Sequence, residues 1–159
     1  MDLRSYSGTT LLAISWALQD RKAMLECVSD EADITNVRRE IAALKSLREN
    51  LTINASGNRA AAGISVSRLE SVSQAGDPDS LESQAGALWL ALCLGIQDRE
   101  AMVDAVGTKT EKHDALREAR SIKRLRCRLF PGRKTFMEQF QERATCVSWS
   151  ELRTLESGK

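Results

Sequence analysis

The stretch Gln19–Met24, QDRKAM, returns 78 positions later as QDREAM at Gln97–Met102. Residues 8–51 align with 86–129 at that constant offset without a gap, giving fifteen identities in 44 positions. They are Gly8/Gly86, Leu12/Leu90, Ala13/Ala91, the Gln-Asp-Arg and Ala-Met pairs of the repeated phrase, Val28/Val106, Arg39/Arg117, Glu40/Glu118, Lys45/Lys123, Leu47/Leu125, Arg48/Arg126 and Leu51/Leu129. The identities cluster, with apolar-for-apolar exchanges between them. A duplication of this kind constrains the fold strongly, because each copy must be one supersecondary unit that packs against its twin.

Each copy reads as an αα-hairpin. First helices are expected over residues 9–28 and 78–106, apolar on nearly every face at the start and amphipathic towards the end. Asp77 as N-cap and Pro78 at the first helical position open the second of them, and Gly107 closes it. Thr108 and Glu111 then form a capping box for a helix that runs to about Phe130, where Pro131-Gly132 stops it. In the first copy Ile34, Val37, Ile41, Leu44, Leu47 and Leu51 make one stripe at three- and four-residue spacing. The resulting expectation is an all-α fold, two homologous hairpins packed as a pseudo-symmetric helical bundle with short C-terminal helices. The first hairpin covers 1–51 and the second 78–130. Between them, 52–77 is a Ser-, Gly- and Asn-rich flexible connector with room for a short helix over 60–73. The tail, 131–159, carries short helices at 135–144 and at 148–155, the latter opened by a Ser148/Glu151 capping box. The segment LGIQDREA resembles the helix-to-helix turn of tetratricopeptide repeats, which implies a turn at the motif. The rest of that pattern is missing and 78 is not its period, so nothing further carries over.

The repeated motif, Gln19-Asp20-Arg21 and Gln97-Asp98-Arg99, sits where the buried half of each first helix becomes amphipathic. Packing about a pseudo-two-fold axis predicts that Asp20 meets Arg99 while Arg21 meets Asp98, as in an isologous interface.

Function classes narrow by what the residues do not provide. Cys27, Cys93, Cys127 and Cys146 are far apart and His113 is the lone histidine, which argues against a zinc cluster and a disulfide scaffold. Buried or half-buried reduced thiols are expected, and with them an intracellular, cytoplasmic or nuclear setting. The apolar run LLAISWAL (11–18) has a mid-chain counterpart in the second copy, so it belongs to the fold; neither run reaches the ~18 residues that cross a bilayer. No phosphate-binding loop, dinucleotide fingerprint or hydrolase motif occurs. No enzyme activity, cofactor, metal or small-molecule substrate is expected.

The sharper feature is charge. REARSIKRLRCRLFPGRK (117–134) holds eight cations against Glu118, a net charge of +7, in a chain whose total is +1. Arg117, Arg120, Arg124 and Arg128 fall within an arc of roughly 80° on a helix, and Arg133 and Lys134 extend the basic surface. Leu116, Ala119, Ile122 and Leu129 are read as the packed side. The duplication supplies an internal control: the ridge positions of the first copy are Arg39, Ala42, Ser46 and Asn50, so the hairpin does not require the ridge. Arg48 and Arg126 recur in both copies and are read as structural. The guanidinium fork suits bidentate contacts to carboxylate or phosphate. The ridge is therefore expected to bind an acidic protein surface or a second copy of the chain, in a binding or regulatory protein. The alternative is nucleic acid, where four phosphate contacts give a salt slope of about −3.6 on duplex DNA.

Overall fold

A computed structural model describes residues 3–53, 64–105, 107–135 and 138–139. Its helices are α1 (Leu3–Cys27), α2 (Glu31–Ile53), α3 (Val66–Ser73), α4 (Gln84–Ala105) and α5 (Lys109–Leu129), and among the described residues there is no strand. The helix ends keep the sequence offset. Cys27 closes α1 as Ala105 closes α4, and Glu31 opens α2 as Lys109 opens α5, each 78 positions apart. Among the described residues no helix is long and apolar enough to cross a membrane.

The core lies where α1 and α4 meet. Ala13, Ala17 and Ala91 are fully buried there, and a Cβ added to Gly95 would stand 3.1 Å from the Cα of Ala13. Small residues on both helices thus allow the backbones to approach closely. Around this contact Ile14, Leu44, Leu47, Leu51, Leu88, Leu92, Ile122 and Leu125 are fully or almost fully enclosed. Each Leu of that set adds about 1.5–3 kcal/mol of burial free energy. The expected stripe of α2 holds: Val37, Leu44, Leu47 and Leu51 are buried, with Ile34 and Ile41 half-buried. α4 touches every other helix, α1 touches α2, α3 and α5 as well, and among the described residues α2 and α5 do not meet.

α3 falls inside the connecting segment. The Ser65 hydroxyl accepts from the Arg68 N–H at 3.1 Å as N-cap, and Leu69 and Val72 are core residues. The Ile64 N–H donates to the Ser7 hydroxyl at 2.9 Å, which ties this stretch to α1.

Two local expectations are corrected. α4 starts at Gln84 rather than Pro78. The Asp77 carboxylate is engaged by the Asp79 N–H at 2.9 Å and the Asp77 carbonyl by the Ser80 N–H at 3.0 Å. Asp-Pro here makes a turn, and the cap passes to Ser83, whose hydroxyl accepts from the Gly86 N–H at 2.9 Å. The turn implied at the QDREAM motif is also absent, since α4 runs unbroken through it. At the other end the Thr108 cap is as expected, its hydroxyl accepting from the Glu111 N–H at 3.3 Å, and Phe130 caps the C-terminus of α5. The expected helices over 135–144 and 148–155 lie outside the described residues, save that Glu138 and Gln139 are helical.

Candidate functional site

The repeated motif builds a three-residue ion network in each hairpin. Arg21 donates from Nε at 3.0 Å and from Nη2 at 2.6 Å to Asp20 Oδ2, and from Nη1 to Glu40 Oε2 at 3.0 Å. Arg99 makes the same set with Asp98 Oδ2, at 3.0 and 2.6 Å, and with Glu118 Oε2 at 3.3 Å. The expected exchange between copies, Asp20 with Arg99 and Arg21 with Asp98, is therefore wrong. Each arginine is satisfied inside its own hairpin, by its neighbour and by a glutamate nineteen residues on. Gln19 and Gln97 point outward and are exposed. What does cross between the hairpins is a cation–π contact, with the Arg99 guanidinium 3.3 Å from the centre of the Trp16 ring. For Arg21, burial disfavours the charge, but the hydrogen bonds and charges of Asp20 and Glu40 outweigh it and raise the pKa. These ion pairs tie the two helices of each hairpin to one another.

The arginine ridge of α5 divides in two. Arg128 reaches Glu70 of α3 at 3.4 Å, and Arg133 pairs with Asp79 and lies 4.8 Å from the Trp89 ring centre. Among the described residues Arg117 meets only Asp114, at 3.5 Å, with both side chains more than half exposed, an arrangement worth under ~1 kcal/mol. Among the described residues Arg120 and Arg124 meet no carboxylate, and both are exposed. Lys134 is exposed at the end of the basic stretch.

A groove of about 210 Å³ runs along this face, lined by His113, Leu116, Arg117, Arg120, Ser121 and Arg124. Leu116 corrects the expected packed side. It precedes Arg120 by one turn, so it shares the arginine face and is 37% exposed, while Ala119, Ile122 and Leu129 are buried as expected. The groove thus offers an apolar spot bordered by cations.

Arg126 and Arg48, identical by sequence, differ in space. Arg126 is buried, donates to Cys93 Sγ at 3.9 Å, pairs with Glu138 and lies 5.6 Å from the Trp89 ring centre. Arg48 is exposed, which corrects its reading as a packed structural residue.

The thiols also differ from expectation. Cys27 and Cys127 are exposed and Cys93 is half-buried, all three as free thiols, while Cys146 lies outside the described residues. Burial pushes the Cys93 thiol pKa up despite the Arg126 hydrogen bond and charge, which act the other way. At pH 8 a thiol-alkylating reagent is expected to modify Cys27 and Cys127 well before Cys93, read by peptide mass spectrometry. Equal rates would show that the cover over Cys93 opens freely. Among the described residues no three His, Cys, Asp or Glu side chains gather into a metal-binding group. No known protein family, curated protein or solved structure matches this chain.

Proposed function

We propose that this chain is a non-enzymatic intracellular binding or regulatory protein that works through protein–protein contacts, with the Arg117–Arg124 face of α5 as its contact surface. The observation that carries this reading is the pair Arg120 and Arg124, which meet no carboxylate among the described residues and flank an exposed Leu116. Leaving two guanidiniums free beside an apolar spot suits an acidic partner that also buries a side chain, because charge supplies steering and the apolar contact supplies burial. A second copy of the chain meets that description in charge, since the remainder outside 117–134 carries −6. Nucleic acid is the second reading, favoured by the same free guanidiniums. Pairing of Arg128 with Glu70 leaves Arg117, Arg120 and Arg124 and reduces the expected salt slope to about −2.7, for three phosphate contacts at −0.9 each.

The scaffold belonging to this proposal is a pair of hairpins related by a pseudo-two-fold axis. Its support is the identical ion network in both copies, and the α1–α5 packing mirrored by α2–α4.

Capture of partners from lysate by the full chain, with and without nuclease and alongside the Arg120→Ala/Arg124→Ala variant, tests the surface. Partners that survive nuclease and are lost with the variant are the expected result. Loss on nuclease treatment alone transfers the reading to nucleic acid. A variant that captures what the parent captures overturns the surface.

A further inference from the structure

Two large apolar side chains stand exposed among the described residues, Met24 and Leu116, and each is set among charges of one sign. Leu116 lines the α5 groove together with Arg117, Arg120 and Arg124. Met24, 39% exposed, lies in the last turn of α1, beside the corner of the first hairpin. Residues 23–37 around that corner hold Glu26, Asp30, Glu31 and Asp33 without one Lys or Arg, a charge of −4. All four carboxylates are exposed, and among the described residues none of them pairs with a cation.

The repeat shows that a hairpin requires neither surface. Shifted by 78, residues 101–115 set Asp104, Glu111 and Asp114 against Lys109 and Lys112, a charge of −1. Met102, the counterpart of Met24, is half-buried, and the counterpart of Leu116 is Arg38. Carboxylates in the first turn of α2 suit the helix dipole, which accounts for Glu31 and Asp33. Glu26 has no such account, since it lies in the last turn of α1, where the dipole disfavours a carboxylate. One half of the chain thus carries an acidic corner with a methionine, the other a basic face with a leucine, and among the described residues the two do not satisfy each other.

Resting on the reading of α5 as a contact surface, we propose that its partner is a second copy of this chain, the acidic corner of one molecule seated in the α5 groove of the next. Met24 packs on Leu116, and the carboxylates of residues 26–33 face Arg120 and Arg124. Met and Arg are residue types enriched at protein interfaces. The carboxylate–guanidinium pairs set register and encounter rate, while the two apolar side chains leave water. Because the joined surfaces are unlike, the contact closes as a dimer where both engage at once and otherwise extends from copy to copy.

Light scattering of the full chain over a wide range of concentration and salt tests it, with Glu26→Lys/Glu31→Lys and Arg120→Glu/Arg124→Glu as charge-reversed variants. Lysine at position 31 has its precedent in Lys109 of the second hairpin. The mass of the parent is expected to rise above one chain with concentration and to fall back as salt screens the contact. Each reversed variant alone should associate at least about 100-fold more weakly, because like charges then face each other. The milder Glu26→Gln/Glu31→Gln should weaken association by about tenfold. An equimolar mixture of the two reversed variants should recover it, since the reversed surfaces match each other and the untouched ones still match. A parent that stays at the mass of one chain overturns the proposal. So do corner variants that associate like the parent, and so does a mixture of the reversed variants that stays apart. If the parent is a single chain and Arg120→Ala/Arg124→Ala still loses its lysate partners, the α5 surface stands and the second copy is removed as its occupant.

Discussion

Arg99→Ala is expected to cost about 3 kcal/mol of stability, and Arg21→Ala about half as much. The two arginines have the same carboxylate partners by sequence offset, so the difference isolates what surrounds them. The Arg99 side chain is 7% exposed and that of Arg21 12%. Removing Arg99 leaves Asp98 and Glu118 side by side without their cation, and both are partly wetted, which keeps the loss at the low end for a buried pair. It also strips the cover from Trp16, whose indole N–H has no hydrogen-bond partner among the described residues and whose ring the guanidinium overlies at 3.3 Å. For Arg21 the position equivalent to Trp16 is Leu94, which has no π face to offer. Urea unfolding with an unchanged m-value is the measurement. Losses of equal size at the two arginines would show that Trp16 contributes nothing. The Trp16→Leu background provides the converse, since the two losses should converge there.

The offset of 78 made much of the architecture legible before any coordinates. It put the ends of the first helices at about 28 and 106, against Cys27 and Ala105 in the fold, and the spacing of Val37, Leu44, Leu47 and Leu51 marked the buried side of α2. The Arg-Asp pairing was visible too, but not its partner. The signal was available in Glu40 and Glu118, identical in both copies and nineteen residues beyond each arginine, and this local solution beats the cross-copy one because a hairpin brings those positions together by itself. The start of α4 was ambiguous in principle, since Asp-Pro opens helices and turns alike; the Asp79 and Ser80 N–H groups decide for the turn. Leu116 stands one helical turn before Arg120, and that spacing sets it on the arginine face and not on the packed side. The fate of the ridge was not readable from α5 alone, because Glu70 and Asp79, which engage Arg128 and Arg133, come from the joining segment. Arg48 and Arg126 show the limit most clearly. They are the same residue in the same repeat position, yet Arg126 is buried, with Glu138 from beyond the repeat as its ion partner, and Arg48 is exposed.

Opposite signs are expected from one substitution at the two glycines that the repeat makes equivalent. Gly8 lies exposed in α1, and a Cβ there would meet nothing within 4 Å. Gly8→Ala should therefore stabilise by about 0.5–1 kcal/mol, the backbone-entropy penalty of glycine in a helix. At Gly86 the added Cβ would fall 1.8 Å from the Ser80 carbonyl oxygen, which is backbone and cannot swing aside as a side chain would. That carbonyl belongs to the turn before α4, where the Ser83 hydroxyl donates towards the Ser80 carbonyl at 2.9 Å and also reaches the Asp77 carbonyl. The same hydroxyl accepts from the Gly86 N–H. Gly86→Ala has to push the turn off the helix start and break the cap, a loss of about 2–3 kcal/mol. The pair separates two reasons for keeping a glycine in both copies. If both variants gained stability, the turn before α4 would be a soft attachment, and the close approach at Gly86 would not hold it in place. A loss confined to Gly86 shows that the turn before α4 is locked to the helix start through this close approach.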